Sequence, residues 1–252
     1  MPDTPTRSSR IAQIAAALTA ASLLMLAVGL LAAQTGLLAP VTSFMLFAVG
    51  TLLGGLLCGI LGLIGVFLTR GGRDPLGARR SWWSLIIGVV LLVAVGFAAG
   101  PGANAPPIND ITNNLNHPPR FVAAKKQPGN FGRKWEYPMP FVPQVQEAYP
   151  DLHPFHLNVP PEKGFALATQ TAQAMGWTIY RTDPQNGVFE ASDRTPIFGF
   201  VDDVSVRVRP DQGGSAVDIR SKSRDGKGDL GANAARIRAF GKRLEAEAGS
   251  SS

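Results

Sequence analysis

From Ile11 to Thr69 no residue carries a charge, and a second uncharged stretch runs from Ser81 to Asn109. Soluble domains rarely exclude charge over such lengths, whereas a helix crossing a hydrocarbon core of about 30 Å needs roughly 20 apolar residues. The pattern predicts three membrane spans, at about 11–33, 44–68 and 82–99. The middle apolar run is too long for one upright helix, and Pro40 with Thr42 and Ser43 puts its expected start near Phe44. Beyond residue 100 the periodicity stops and prolines recur to residue 160. They exclude a long helix there. Yet Ile108, Ile111, Leu115, Phe121, Phe131, Trp135, Tyr137, Phe141, Tyr149, Leu152 and Phe155 are too apolar for a disordered linker. This segment is expected to lie extended across a folded domain and to cover part of its core.

Residues 161–252 carry the pattern of that domain. Pro160-Pro161-Glu162 opens a helix bearing Phe165, Ala168, Ala172 and Met175 at steps of three and four, and Gly176 ends it. The period then becomes two. Strands are predicted at 177–182, 188–192, 200–209 and 216–222, with turns at 183–187 and 210–214. A last helix is expected from Asp229, an N-cap residue, with Leu230, Ala234, Ile237, Gly241 and Leu244 on one face. The order helix, four antiparallel strands, helix implies an α+β domain built as a two-layer sandwich. The division is a membrane anchor at 1–100, a proline-rich segment at 101–160 and the α+β domain at 161–252. Within the strands, Val204, Val206, Val208, Val217 and Ile219 make a dry face. Asp203, Ser205, Arg207, Asp218, Arg220 and Lys222 make the other, expected to be a solvated face with cross-strand ion pairs, a polar ligand platform or a seat for the proline-rich segment.

Charge adds direction. The net +6 divides into +4 on residues 1–100 and +2 on the rest. Arg7 and Arg10 precede the first span, and Arg70, Arg73, Arg79 and Arg80 fill the loop between the second and third. Positive-inside bias then places the N-terminus and this loop in the cytoplasm and the C-terminal domain on the periplasmic or extracellular side of the inner membrane. A rival reading makes residues 1–33 a cleaved signal peptide, but the apolar stretch exceeds the usual length and Leu31-Ala32-Ala33 is a poor cleavage site. The charge balance gives no argument for nucleic acid as a partner. The absence of an ionisable group from every span argues against a transporter or channel. Gly50/Gly54 and Gly55/Gly59 allow close helix packing, either inside the bundle or between copies in an oligomer.

Candidate chemistry is sparse. The single cysteine, Cys58, lies in mid-span and reads as a packing residue. His153 and His156, beside Asp151, lack the spacing of a metal motif and read as turn and surface residues, so no metal or cofactor is expected. The most pointed feature runs from Arg220 through Ser221, Lys222, Ser223 and Arg224 to Asp229, Asn233 and Arg236. It joins a strand end, a basic glycine-containing loop and a helix start, which together can receive an anion. It lacks the spacing of a Walker loop, and Asp225 and Asp229 put negative charge where a phosphate would sit. The competing reading has Arg224 and Arg236 tying the loop to Asp202 or Asp203.

These motifs carry a resemblance. Pro106-Pro107-Ile108-Asn109-Asp110-Ile111-Thr112, Tyr149-Pro150-Asp151, Met175-Gly176-Trp177, Glu190-Ala191, Phe198-Gly199-Phe200-Val201-Asp202-Asp203 and the stretch from Arg220 to Ile237 resemble the domain of unknown function 1499 family. The resemblance implies no reaction and no cofactor; it makes the motif residues candidates for a shared site or a shared structural lock. Two functions follow. The first is a membrane-anchored binding or interaction module for a small anionic ligand or an envelope protein partner, with Asp202, Asp203, Arg220, Ser221, Ser223, Arg224, Asn233 and Arg236 as ligand-binding residues. The second is a hydrolase-like enzyme using Glu190, Asp202 and Asp203 as acid/base groups beside Arg220 and Arg224. A structural subunit of an envelope complex is the third expectation. Binding is favoured over catalysis because no nucleophile and base pair is evident.

Overall fold

The computed structural model describes residues 9–249 and separates into two compact units, one comprising the chain as far as Pro101 together with Pro196–Gly199, the other Gly102–Thr195 with Phe200 onward. The first unit holds three helices: α1 (Arg10–Thr35), α2 (Pro40–Thr69) and α3 (Pro75–Ala99), each long and apolar enough to cross a membrane. Arg7 lies outside the described residues. The second helix begins at Pro40, four residues before the expected Phe44, because proline is preorganised for the first helical position. The third begins at Pro75 rather than near Trp82, capped by Asp74, whose carboxylate accepts from the Gly77 amide at 2.7 Å. Its first two turns therefore carry Arg79 and Arg80 ahead of the apolar part.

A π-helical turn, Val49–Leu53, interrupts α2. The glycines of α2 other than Gly59 point at its neighbours within the bundle. A Cβ on Gly50 would lie 2.8 Å from the Ser22 carbonyl oxygen, and one on Gly88 of α3 would lie 2.5 Å from the Gly59 amide nitrogen. Small residues here let backbones touch, the packing expected where lipid removes the hydrophobic drive between helices.

The second unit is a mixed helical and antiparallel-sheet structure. Its elements are β1 (Asp110–Thr112), α4 (Phe141–Ala148), β2 (Phe155–Leu157), α5 (Pro161–Ala174), β3 (Thr178–Asp183), β4 (Val188–Arg194), β5 (Val201–Asp211), β6 (Gly214–Ser223) and α6 (Ala232–Gly249). The four expected strands form an antiparallel meander, closed between β5 and β6 by Gln212 and Gly213, both at positive φ as a two-residue hairpin turn requires. The sheet has six strands, not four. Two come from the proline-rich segment: β1 pairs with Arg220–Lys222 and β2 with Ser215–Val217, so both cover the outer edge of β6. An edge strand left open is an invitation to aggregate, and these short strands close it.

The dry face is built as the alternation dictates. Val204, Val206, Val208, Val217 and Ile219 are buried with Phe189 and Ala191, against Leu167, Ala168 and Ala172 of α5 and Ile237, Phe240 and Leu244 of α6. Trp177 stacks on Phe240 at 5.1 Å between ring centroids. Ile108, Ile111, Val145 and Leu152 of the proline-rich segment complete this core. Each such side chain contributes about 1.5–3 kcal/mol by leaving water.

The polar face is not the solvated one of the first expectation but the seat of the proline-rich segment, and it keeps the cross-strand pair Arg207–Asp218. Asp203, Ser205, Asp218 and Arg220 are buried beneath the chain between residues 114 and 137. Phe121, Ala124 and Trp135 form a second small apolar cluster there with Tyr180 packed against it. Alternation distinguishes the two faces of a strand; it does not report that a segment distant in sequence covers the polar one.

Candidate functional site

The eight residues expected to bind a ligand lie on two opposite faces of the sheet. Asp202, Ser221 and Ser223 share the parity of the core valines and meet Asn233 and Arg236 of α6. Arg236 bonds Asp202 at 2.6 Å and Asp193 at 2.7 Å. Its Nη1 also donates to Ser221 Oγ and Asn233 Oδ1, each at 3.0 Å, and Asn233 Nδ2 donates to Ser223 Oγ at 2.9 Å. Ser221 Oγ in turn donates to Asn233 Oδ1, so the hydroxyls, amide and guanidinium of this cluster bond one another.

Asp203, Arg220 and Arg224 sit on the opposite face, under the proline-rich segment. Arg220, only 2% exposed, forms a bidentate pair with Asp110 at 2.8 and 2.7 Å, and its remaining donors reach the carbonyls of Pro119 and Trp135. Its guanidinium also lies 4.9 Å from the Phe121 ring centroid and 5.2 Å from that of Tyr137. Lys222 Nζ adds a second cation on Asp110 at 3.0 Å. Arg224 grips Asp203 at 2.9 and 2.7 Å, while Tyr180 and Asn130 donate to the same carboxylate. Burial, then the charges of Asp203 and Glu190, push the Tyr180 hydroxyl well above its ordinary pKa. For Arg224, burial opposes the charged form, but the bond to Asp203 and its charge outweigh it and the pKa is raised.

Glu190 is wholly buried and acts as an internal anion. Its carboxylate accepts from the amides of Val122, Ala123 and Ala124 at 2.9–3.0 Å and from Arg181 Nη1 at 3.0 Å. Three successive amides pointing at one carboxylate form an anion nest, filled here from within the chain. Asp218 is similarly held by Arg207, Arg209 and Asn114. Of the carboxylates suggested as acid/base groups, Glu190 and Asp203 are therefore bonded on several sides and Asp202 is paired with Arg236. Removing one partner of such a buried pair costs about 3–5 kcal/mol, the signature of a structural lock.

The helix start after Asp229 is displaced. α6 begins at Ala232 because Leu230 and Gly231 adopt positive φ, and the Asp229 carboxylate accepts from the Gly231 and Asn233 amides at 2.8 and 2.9 Å. The amide donors that could have received a ligand already hold this side chain. His156 pairs with Asp211 at 2.7 Å, and the His153 carbonyl accepts from Asn113.

Among the described residues, two of the open depressions border the candidate residues. The larger, about 970 Å³, is lined by Asn113–His117, Gln146, Tyr149–Pro150, Leu152–Pro154, Arg207 and Arg209. Its two arginines are already engaged with Asp218. The other, about 470 Å³, lies at the basic loop between Asn109, Arg133, Lys134 and the run Lys222–Lys227. It gathers Arg133, Lys134, Lys222, Arg224 and Lys227 around one carboxylate, Asp225, which Arg133 pairs at 3.1 Å. Lys134 and Lys227 are exposed. The sequence pointed to Ser223 and Arg224 here but missed Arg133 and Lys134, whose only signal was a pair of cations inside a proline- and glycine-rich stretch.

No curated protein sequence matches the chain. The family described as a protein of unknown function (DUF1499) matches residues 110–244, which takes in Asp110, Glu190, Asp202, Asp203, Arg220, Arg224 and Arg236. That match covers more than half of the chain and the whole set of interlocked charges, and the chain belongs to the DUF1499 family.

Proposed function

We propose that the chain is a membrane-anchored binding module whose two-layer α+β domain recognises a small anionic ligand at the basic pocket beside residues 222–227. The observation that supports this is the pair of exposed lysines, Lys134 and Lys227, on a pocket whose other cations, Arg133, Lys222 and Arg224, are paired with Asp225, Asp110 and Asp203. Most other charges of the polar layer are paired; here the exposed Lys134 and Lys227 line an open depression. A phosphate or carboxylate group fits it by charge and size. The hydrolase reading is weaker, because Glu190, Asp202 and Asp203 are each held by arginine. The arginines flanking the helices support an inner-membrane anchor with the N-terminus inside and the domain on the periplasmic or extracellular side.

The test uses the full chain in nanodiscs of neutral lipid, with the unfolding of the domain followed against inorganic phosphate, citrate and a neutral sugar. An anion present at about 100 times its Kd stabilises the folded state by about 2.7 kcal/mol and raises Tm measurably. The expected result is a rise with phosphate or citrate, none with sugar, and loss of the rise in the Lys134→Ala, Lys227→Ala double variant. Equal melting in every solution removes the proposal and turns the search to copurifying envelope proteins.

A further inference from the structure

Phe131 is 99% exposed, the most exposed large apolar side chain among the described residues. It is not loose. Its neighbour Asn130 is buried, donating to the Ala124 carbonyl and to Asp203 Oδ2 at 2.8 Å each. On one side Arg224 Nη1 donates to the Pro128 carbonyl at 3.1 Å; on the other Arg133 Nε donates to the Gly129 carbonyl at 2.9 Å. Gly129 and Gly132, both at positive φ, turn the chain sharply before and after the ring. The loop is thus fastened to the polar layer at several points while the phenyl group is held outward. An accidental exposure would relax, since burying such a ring is favourable and a mobile loop could fold it onto the surface.

The surroundings define what the ring meets. The Arg133 and Arg224 anchors join this loop to the basic pocket, and exposed Lys126 and Lys134 flank Phe131 in sequence, with Lys227 across the pocket. We infer that this face docks on an anionic bilayer surface, with Phe131 inserted at the level of the headgroups and the basic pocket holding lipid phosphates. The inference rests on the anion-binding reading of the pocket and specifies the carrier of the anion. Two features select a bilayer. Aromatic rings favour the interface between headgroups and acyl chains, and clustered Lys and Arg are attracted to anionic lipid by about fivefold in affinity per cation. A protein partner would instead need an apolar socket for one isolated ring inside a ring of positive charge.

The experiment places a polarity-sensitive dye on Phe131→Cys in a Cys58→Ala background, in the full chain. Three preparations are compared: nanodiscs of phosphatidylcholine, nanodiscs of phosphatidylcholine with phosphatidylglycerol, and the first discs mixed with phosphatidylglycerol vesicles. Together they cover docking on the chain's own bilayer and on a neighbouring one. Expected is a blue shift of the dye whenever phosphatidylglycerol is present, reversed in about 1 M salt, where screening acts beyond about 3 Å. Lys134→Ala and Lys227→Ala should each weaken vesicle binding about fivefold. Hydrogen exchange at residues 126–134 of the unlabelled chain should slow under the same conditions. No shift and no slowing with phosphatidylglycerol in any arrangement overturns the inference, as does an equal shift with phosphatidylcholine alone. The two readings separate cleanly: if phosphate stabilises the chain but the dye does not respond, the pocket takes a free anion and the bilayer is refuted. A dye response that appears only with added protein extract would make the partner a protein and would likewise overturn the inference.

Discussion

The stretch from Arg220 to Lys227 supplies both the most closed and the most open parts of the polar layer. At Arg220 four hydrogen bonds hold the guanidinium and the side chain is buried. Seven residues later Lys227 stands in solvent. The difference follows from what lies opposite each. Arg220 faces Asp110 of β1 and the carbonyls of the covering segment, whereas the loop after β6 faces a shallow opening edged by Arg133 and Lys134. Charge type alone therefore says little about role. A buried arginine must be matched or the fold fails, and a lysine at the rim is free to meet something from outside.

The hardest way to break this contrast is Asp110→Ala. It strands Arg220 and Lys222 in the covered layer, and a loss of about 3–5 kcal/mol of domain stability is expected, read by chemical denaturation of the full chain in detergent. Alkali comes next. Burial, first among the causes, raises the pKa of both Tyr137 and Tyr180. In the unfolded chain these hydroxyls ionise near pH 10, while in the folded chain they stay protonated, so the unfolded state holds fewer protons as pH rises. Their stabilising contribution is complete below pH 10 and falls above it, by up to about 1.4 kcal/mol per pH unit for each tyrosine. Tyr180→Phe should flatten that slope in a pH series of melts. The acid effect is smaller. Asp151 is held below its ordinary value chiefly by its hydrogen bonds from Arg238. Its contribution is present above the unfolded value and lost as pH falls through the lowered folded one. The pair is half exposed, so Arg238→Ala should remove only about 1 kcal/mol or less.

Much of the architecture was readable from residue order. The three expected spans fell on the three apolar helices, and the alternation of Val204, Val206 and Val208 with Asp203, Ser205 and Arg207 correctly separated the core face from the polar one. What escaped was pairing over long sequence separations. Nothing local in Asp110-Ile111-Thr112 distinguishes a strand, because three residues carry too little period; β6 recruits them from a hundred residues away. The candidate site was half legible for the same reason. Its basic loop and its competing ion-pair reading could both be named, but the partners of Glu190 are backbone amides at residues 122–124, and amides leave no mark in a sequence.

The sequence by itself determined where the chain can meet lipid, which face of each long strand is apolar, and which charges are available, since these depend on composition and on periods of two and 3.6 residues. The tertiary structure alone decided that the proline-rich segment covers the polar face, that Arg220, Arg224 and Arg236 are bonded inward to Asp110, Asp203 and Asp202, and that Lys134, Lys227 and Phe131 are turned outward. The free energy of a buried charge depends on the group set against it, and which group that is depends on how distant segments come together.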